Sequence, residues 1–251
     1  MAAVIDRETL LRIAKLHSLR PWQQEKHYVQ SLVLVALAEH PLVFKGGTYL
    51  WFFHGLRRFS EDLDFTASGR IPGDLAKEVS ESLRLFGVEN TVKRRQWSFR
   101  ISAQGPLHTT EKDLCHVAVD VSAREQVQLP TQPLTVQSEP YGLPVKMLSG
   151  MDLREVAAEK VRAMMTRGQA RDLFDLAFLL DNRRAVPSIA LVEKKLELST
   201  TGFTEAAFRK SIREKKASWS AELKPLVFSE LQTFDSAARS ARAWLRAAGR
   251  I

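Results

Sequence analysis

Two aspartates one residue apart, Asp62 and Asp64, constrain this chain more than any other feature. They close the stretch FKGGTYLWFFHGLRRFSEDLDF, residues 44–65. Read as a strand, its end places Ser60, Asp62 and Asp64 on one face and Leu63 and Phe65 on the other. Carboxylates this close repel each other and lose solvation, and a divalent cation would offset both costs. Mg²⁺ favours one or two carboxylates together with substrate phosphates. Upstream, Gly46-Gly47-Thr48 reads as a turn. Glycine has no Cβ, so backbone N–H groups and the threonine hydroxyl can come close to a phosphate. Each half also has a plainer reading: a simple turn, and a solvated or edge-protecting strand face.

The order of the parts says more than either part. A Gly-Gly-Thr turn, a short apolar helix and a strand bearing Asp-x-Asp resemble the nucleotidyltransferase fold shared with polymerase β. The fuller string, Lys45-Gly-Gly-Thr48 followed by Arg58-Phe-Ser-Glu-Asp-Leu-Asp-Phe65, is similar to the AbiEii-type nucleotidyltransferase toxins. That family belongs to bacterial and archaeal toxin–antitoxin and phage-defence systems. The resemblance covers residues 44–65 closely, about 115–122 loosely, and 152–176 well. It implies an α/β (α+β) fold: a polymerase-β-like mixed sheet with helices, then a helical C-terminal lobe completing the active cleft.

The chain has 251 residues, 45% of them hydrophobic, enough for a large packed core in one domain or two joined lobes. Its one cysteine, Cys115, excludes an internal disulfide and a cysteine-based metal site. Residues 1–15 carry acids early and lack a long apolar core, which argues against a signal peptide or membrane segment and for a cytoplasmic setting. A net charge of +8 favours a polyanionic partner such as RNA, DNA or an acidic protein.

Helical periodicity marks residues 7–18 and 22–39, with Pro41 ending the second. Leu42 to Phe44 reads as a strand, Tyr49 to Phe53 as a compact helix closed by His54-Gly55, and 66–72 as a loop. Gly73 to Phe86 reads as helix and Glu89 to Gln104 as strand. In the latter, Lys93-Arg94-Arg95 beside Trp97 reads either as a solvated hairpin or as a nucleic-acid grip. Leu114 to Val121 alternates, with Cys115, Val117, Val119 and Val121 on one face and His116, Ala118 and Asp120 on the other. Further short strands are expected at Leu134–Ser138 and Val145–Leu148. From Asp152 the pattern is helical, so the boundary falls near residue 150: a nucleotidyltransferase lobe over 1–150 and a helical lobe over 151–251.

Asp152 can cap a helix reaching about Arg167. Within it Lys160 takes a position of the apolar stripe of Leu153, Val156, Ala157, Val161 and Met164. A lysine there either snorkels to water or reaches phosphates as a mobile point charge. The next helix carries its apolar stripe on Ala170, Leu173, Phe174, Ala177 and Phe178, with Asp172 and Asp175 off it. Asp172 there has a plain use in the helix dipole, and Asp175 a plain partner in Arg171. Residues 187–251 hold twelve Lys and Arg against seven Asp and Glu. The clusters Arg209-Lys210, Arg213, Lys215-Lys216 and Arg239, Arg242, Arg246, with Trp219 and Trp244 nearby, read as solvated helix faces or as a seat for an RNA backbone.

The resemblance assigns further roles. It implies that Glu155-Val-Ala-Ala-Glu-Lys160 and Arg171-Asp-Leu-Phe-Asp-Leu176 are downstream motifs, with Lys160 on the nucleotide's phosphates and Asp175, or secondarily Asp172, orienting that lysine or the acceptor. It implies metal ligation by Asp62, Asp64 and a third carboxylate, for which Asp120 is placed. Gly46, Gly47, Thr48, Ser60 and Arg58 then contact nucleotide; Arg58 is also placed to fix the Asp pair or to bridge to Glu61 or Asp62. The implied activity is an Mg²⁺- or Mn²⁺-dependent transfer of NMP from an NTP to the 3′ end of tRNA, blocking translation. A cognate antitoxin is implied and no membrane is involved. The alternatives are transfer to a protein hydroxyl and an inactive RNA- or protein-binding member of the fold.

Overall fold

Local sequence sets the first helices. Asp6 caps α1 (Arg7–His17) by accepting from the Thr9 N–H at 2.7 Å, and Ser18 ends it in the left-handed region. Pro21 opens α2 (Pro21–Leu37), where its missing N–H costs nothing. The structure, a computed structural model, describes residues 5–71, 73–96, 98–136, 139–199 and 201–248. These form ten α-helices and a seven-stranded mixed sheet, in two units that alternate along the chain. One comprises Met1–Phe53, Phe59–Val127 and Thr131–Gly150; the other comprises His54–Arg58, Gln128–Pro130 and Met151–Ile251.

The first unit holds the sheet. Its strands are β1 (Leu42–Lys45), β2 (Leu63–Ala67), β3 (Asn90–Arg95), β4 (Ser98–Ala103), β5 (Cys115–Ser122), β6 (Gln132–Val136) and β7 (Lys146–Gly150). Their order is β3-β4-β5-β2-β1-β7-β6. β2 runs parallel to β5, and β1 parallel to β7; the other pairs are antiparallel. α3 (Gly46–His54) follows β1 directly, and α4 (Leu75–Leu85), capped by Asp74, packs on β3. α2 packs on β5 and α4 and is buried on most sides, through Tyr28, Val29, Leu32, Val33 and Leu34. Phe44 of β1 stacks on Phe65 of β2 at 4.9 Å beneath the sheet.

Several expectations are corrected here. Gly46-Gly47-Thr48 is not a free turn but the first turn of α3. The strand of the aspartates begins at Leu63, so Ser60 and Asp62 precede it and only Asp64 lies on it; it then runs through Ala67 into the supposed loop. Residues 89–104 are a hairpin, β3 and β4, folding at Gln96, which has positive φ. Pro72, Trp97, Gln137 and Ser138, invoked in the sequence reading, lie outside the described residues.

The second unit is helical: α5 (Leu153–Thr166), α6 (Ala170–Asn182), α7 (Ile189–Leu196), α8 (Glu205–Glu214), α9 (Trp219–Leu223) and α10 (Phe234–Ala248). Asp152, Ser188 and Thr204 cap α5, α7 and α8 through their side chains. α5 packs on α6, α7 and α8, and α6 on α9 and α10. Trp219 and Trp244 are buried in this core, donating their indole N–H groups to the carbonyls of Gln232 and Pro187. They are therefore not surface rings for stacking bases. Lys215, expected on a basic helix face, is 1% exposed and donates to the carbonyls of Met164 and Arg167, closing the C-terminus of α5.

Candidate active site

The sheet unit builds a carboxylate edge. Asp64 on β2 and Asp120 on β5 are direct register partners across a parallel pair, on the face opposite buried Leu63, Phe65, Val119 and Val121. Asp120 is exposed and Asp64 half-buried. Gly46 has a φ of +80°, and a Cβ there would collide with the Asp64 carboxylate. Only glycine satisfies both demands, and it brings Asp64 against the opening turn of α3. The segment before β2 is pinned. Thr48, itself buried, donates its hydroxyl to the Asp62 carbonyl at 2.5 Å. Gln30 of α2 donates to the carbonyls of Ser60 and Glu61 at 3.2 and 2.9 Å. Glu61 pairs with Lys26 at 2.6 Å, and Lys45 with Glu125 at 2.6 Å. Thr48 thus holds the Asp62 backbone.

The residues present fit a divalent cation in one respect. Two carboxylates on neighbouring strands, one fully open, match the preference of Mg²⁺ for few protein ligands plus phosphate and water. Among the described residues no three His, Cys, Asp or Glu side chains gather into a metal-holding group, so Asp62, Asp64 and Asp120 are not a preassembled triad.

The helical unit builds a buried ion cluster. Lys160 of α5 is 7% exposed, as its place in the apolar stripe predicts. Its ammonium lies 2.7 Å from Asp175 Oδ2 and 3.3 Å from Asp172 Oδ1. Arg58 is 2% exposed and grips Asp175 with two bonds, Nε to Oδ1 and Nη2 to Oδ2, each 2.6 Å. Arg167, half-exposed, grips Asp172 through Nε and Nη2, each 2.8 Å. Three cations thus surround two carboxylates that are both 0% exposed. Burial pushes Asp172 up, but Lys160 and then Arg167 outweigh it and bring the carboxyl down to about 2. Burial likewise raises Asp175, and Arg58 followed by Lys160 hold it below the ordinary carboxylate range.

Arg58, placed by the sequence near the Asp62–Asp64 pair, makes a two-bond grip on Asp175. Two readings of these residues are corrected. Asp172 and Asp175 do not lie off the buried side of α6. They are fully buried while Phe174 and Phe178, expected in the stripe, are half-buried. The N-terminus of α6 is served instead by Glu222 of α9, which accepts from the N–H groups of Ala170 and Arg171 at 2.8 and 3.2 Å. Arg171 turns to Gln169 rather than to Asp175.

Sequence reasoning missed Arg167, whose only signal is its place just after α5 and five residues before Asp172. It also missed a second buried set: Lys195 of α7, 2.5 Å from Glu155 and 3.1 Å from Glu159. Glu155 further accepts from the N–H groups of Gln128 and Leu129, holding that short segment in the helical unit. Lys195 at a buried position of a short helix was the available clue.

Residues 31–240 match the family model described as nucleotidyl transferase AbiEii toxin, type IV toxin–antitoxin system. Among solved structures, the nucleotidyltransferase toxin MenT4 of Mycobacterium tuberculosis H37Rv is similar at 22% identity and a TM-score of 0.67, covering 96% of this chain and 90% of its own. JHP933 of Helicobacter pylori is similar at 19% identity and a TM-score of 0.58, covering 91% of this chain and 94% of its own. At these identities the likeness shows the fold. No match is found among curated proteins.

Proposed function

This chain belongs to the AbiEii nucleotidyltransferase toxin family of type IV toxin–antitoxin systems, and from that premise we propose that it transfers an NMP from an NTP to the 3′ end of tRNA, blocking translation. The observation that carries the reading is the register pairing of Asp64 with Asp120 beside the glycine-opened start of α3. A divalent cation, Mg²⁺ or Mn²⁺, would brace the triphosphate and lower the pKa of the attacking hydroxyl. Asp64 and Asp120 would ligate it, with Asp62 placed one residue away. N–H groups at the start of α3, from Gly46 and Gly47, and the Ser60 hydroxyl suit the nucleotide's phosphates.

In the step itself the 3′ oxygen bonds to the α-phosphorus. The bond from that phosphorus to its bridging oxygen breaks, pyrophosphate departs, and the hydroxyl proton passes to solvent. Lys160 supplies positive charge to phosphate; two of its N–H bonds point at Asp172 and Asp175, and the third has no partner among the described residues. Asp175, Asp172 and Arg58 act as positioning residues for it. The family implies an antitoxin partner. No described helix is long and apolar enough to cross a membrane, and a cytoplasmic site of action accords with a tRNA acceptor.

The test is incubation with Mg²⁺, total tRNA and each α-labelled NTP in turn. Label on RNA with one nucleotide supports the reading and names the base. Label on protein alone moves the acceptor to a protein hydroxyl, and no label anywhere from a folded protein refutes transfer.

A further inference from the structure

The open face of the sheet carries more than the carboxylate edge. On β3, Asn90 and Arg94 face α4, where Asn90 bonds to Ser80 and Arg94 pairs with its cap Asp74. Alternation therefore turns Lys93 and Arg95 to the opposite face. Register carries that face across the sheet: Lys93 opposes Arg100 on β4, Arg100 opposes Ala118 on β5, and Asp120 opposes Asp64 on β2. Lys93, Arg95, Arg100 and Asp120 are all exposed. A groove of about 550 Å³ adjoins Asp120 and is lined also by Arg95, Ser98, Ser122 and Arg124.

Two features mark this surface. Lys93 and Arg100 are like charges directly opposite on neighbouring strands, an arrangement that destabilises a sheet. None of Lys93, Arg95, Arg100 and Arg124 makes an ion pair among the described residues. On α8 Arg209 pairs with Glu205 and Lys210 with Glu214, whereas Arg239, Arg242 and Arg246 of α10 also make no ion pair among the described residues, so the cross-strand opposition is what sets the sheet face apart and α10 is the control. The sheet thus has a cationic field ending at two carboxylates, Asp120 two strand spacings, roughly 10 Å, and Asp64 three, roughly 15 Å, from the outer strand.

We propose that this face, Lys93, Arg95 and Arg100 with Arg124 beside the groove, seats the phosphodiester backbone of a single-stranded RNA acceptor and leads its 3′ end to Asp120 and Asp64. The proposal rests on the transferase reading for its direction, not for its charge. A polyanion relieves the Lys93–Arg100 repulsion. The basic helix faces are then not the principal seat.

The test is fluorescence anisotropy of a short single-stranded RNA oligonucleotide with a free 3′ hydroxyl, and of total tRNA, without NTP and across a salt series. The variants are K93Q/R95Q/R100Q/R124Q and, on α10, R239Q/R242Q/R246Q, each checked by circular dichroism. Counterion release gives about 0.7 of log–log salt slope per phosphate contact in a single strand. The sheet variant is expected to bind about ten-fold or more weaker, with a slope flatter by roughly 3, while the α10 variant binds as the wild type does. Wild-type affinity in the folded sheet variant, or a loss confined to the α10 variant, overturns the proposal. RNA labelling by the wild type together with unchanged binding by the sheet variant would sink this inference and leave the transferase reading standing. Lost binding in the sheet variant, with no label transferred by the wild type, would do the reverse.

Discussion

The carboxylate edge of the sheet and the ion cluster of the helices use the same residue types to opposite ends. Asp120 stands in water beside an open groove, whereas Asp172 and Asp175 are sealed from solvent and each held by two cations. At the edge Asp64 and Asp120 are like charges side by side, and a bound cation would stabilise both. The cluster is nearly complete by itself, and its electrostatic cost was met when the chain folded. Acidic residues at a ligand site can be poorly stabilised because the ligand supplies the missing charge. Acidic residues that hold the lysine proposed to meet phosphate must be stable before any ligand comes.

The largest test of that contrast is removal of one carboxylate from each. Asp175→Ala leaves Arg58 and Lys160 buried without their shared partner and is expected to cost about 3–5 kcal/mol in urea unfolding. Asp120→Asn is expected to leave stability within about 0.5 kcal/mol while removing transfer. Equal losses of stability would erase the distinction.

Acid should weaken buried histidines and buried carboxylates over different pH ranges. His27 of α2 is enclosed by Trp51, Phe52 and Tyr141, with its Nδ1 2.7 Å from the Tyr141 hydroxyl. Burial, with His17 nearby, brings its pKa down to about 3. Below pH 6.5 the unfolded chain takes up a proton that the folded chain refuses, so this contribution falls as pH drops from 6.5 towards 3. Asp172 behaves differently: its contribution is whole above the unfolded value near 4 and disappears as pH falls to about 2. Melting temperatures from pH 8 to 3 should therefore decline from about 6.5 in the wild type, by the equivalent of a few kcal/mol. In His27→Gln the decline should be shallower but still begin near 6.5, because burial and Arg183 bring His54 down to about 4.

A smaller effect is expected at Gly46. Gly46→Ala forces a side chain into left-handed backbone and against Asp64, costing about 1–2 kcal/mol by thermal denaturation. Because the collision is with the proposed ligand, transfer should fall by more than stability does. Smallest of all, Glu205→Ala breaks an exposed helix pair with Arg209 and should shift stability by less than about 0.5 kcal/mol. A larger shift would show that surface charge on the helices matters more than this account allows.

Elements governed by local pattern were legible in the sequence. The alternation of Cys115 to Val121 gave the strand and its buried face, Asp152 gave the helix start, and the 3.6-residue period singled out Lys160. Asp64 and Asp120 were both singled out, the first by motif and the second by its place in a strand, and they are register partners. Partners distant in sequence were not legible. Arg58 and Asp175 are 117 positions apart, and nothing in either neighbourhood names the other. The burial of α6 on most of its circumference hid Asp172 and Asp175 from a one-stripe reading, since helices that pack on several neighbours lose the amphipathic signature. Lys215 and the two tryptophans were misplaced for a related reason: a basic or aromatic residue near a helix end reads as surface until tertiary carbonyls claim its N–H groups.

The most direct measurement compares Mg²⁺-dependent transfer from an α-labelled NTP to tRNA by the wild type and by Asp64→Asn/Asp120→Asn, with both melting curves recorded. The account predicts label with the wild type, none with the double variant, and unchanged or slightly raised thermal stability in the latter. Transfer by the double variant at the wild-type rate would contradict it.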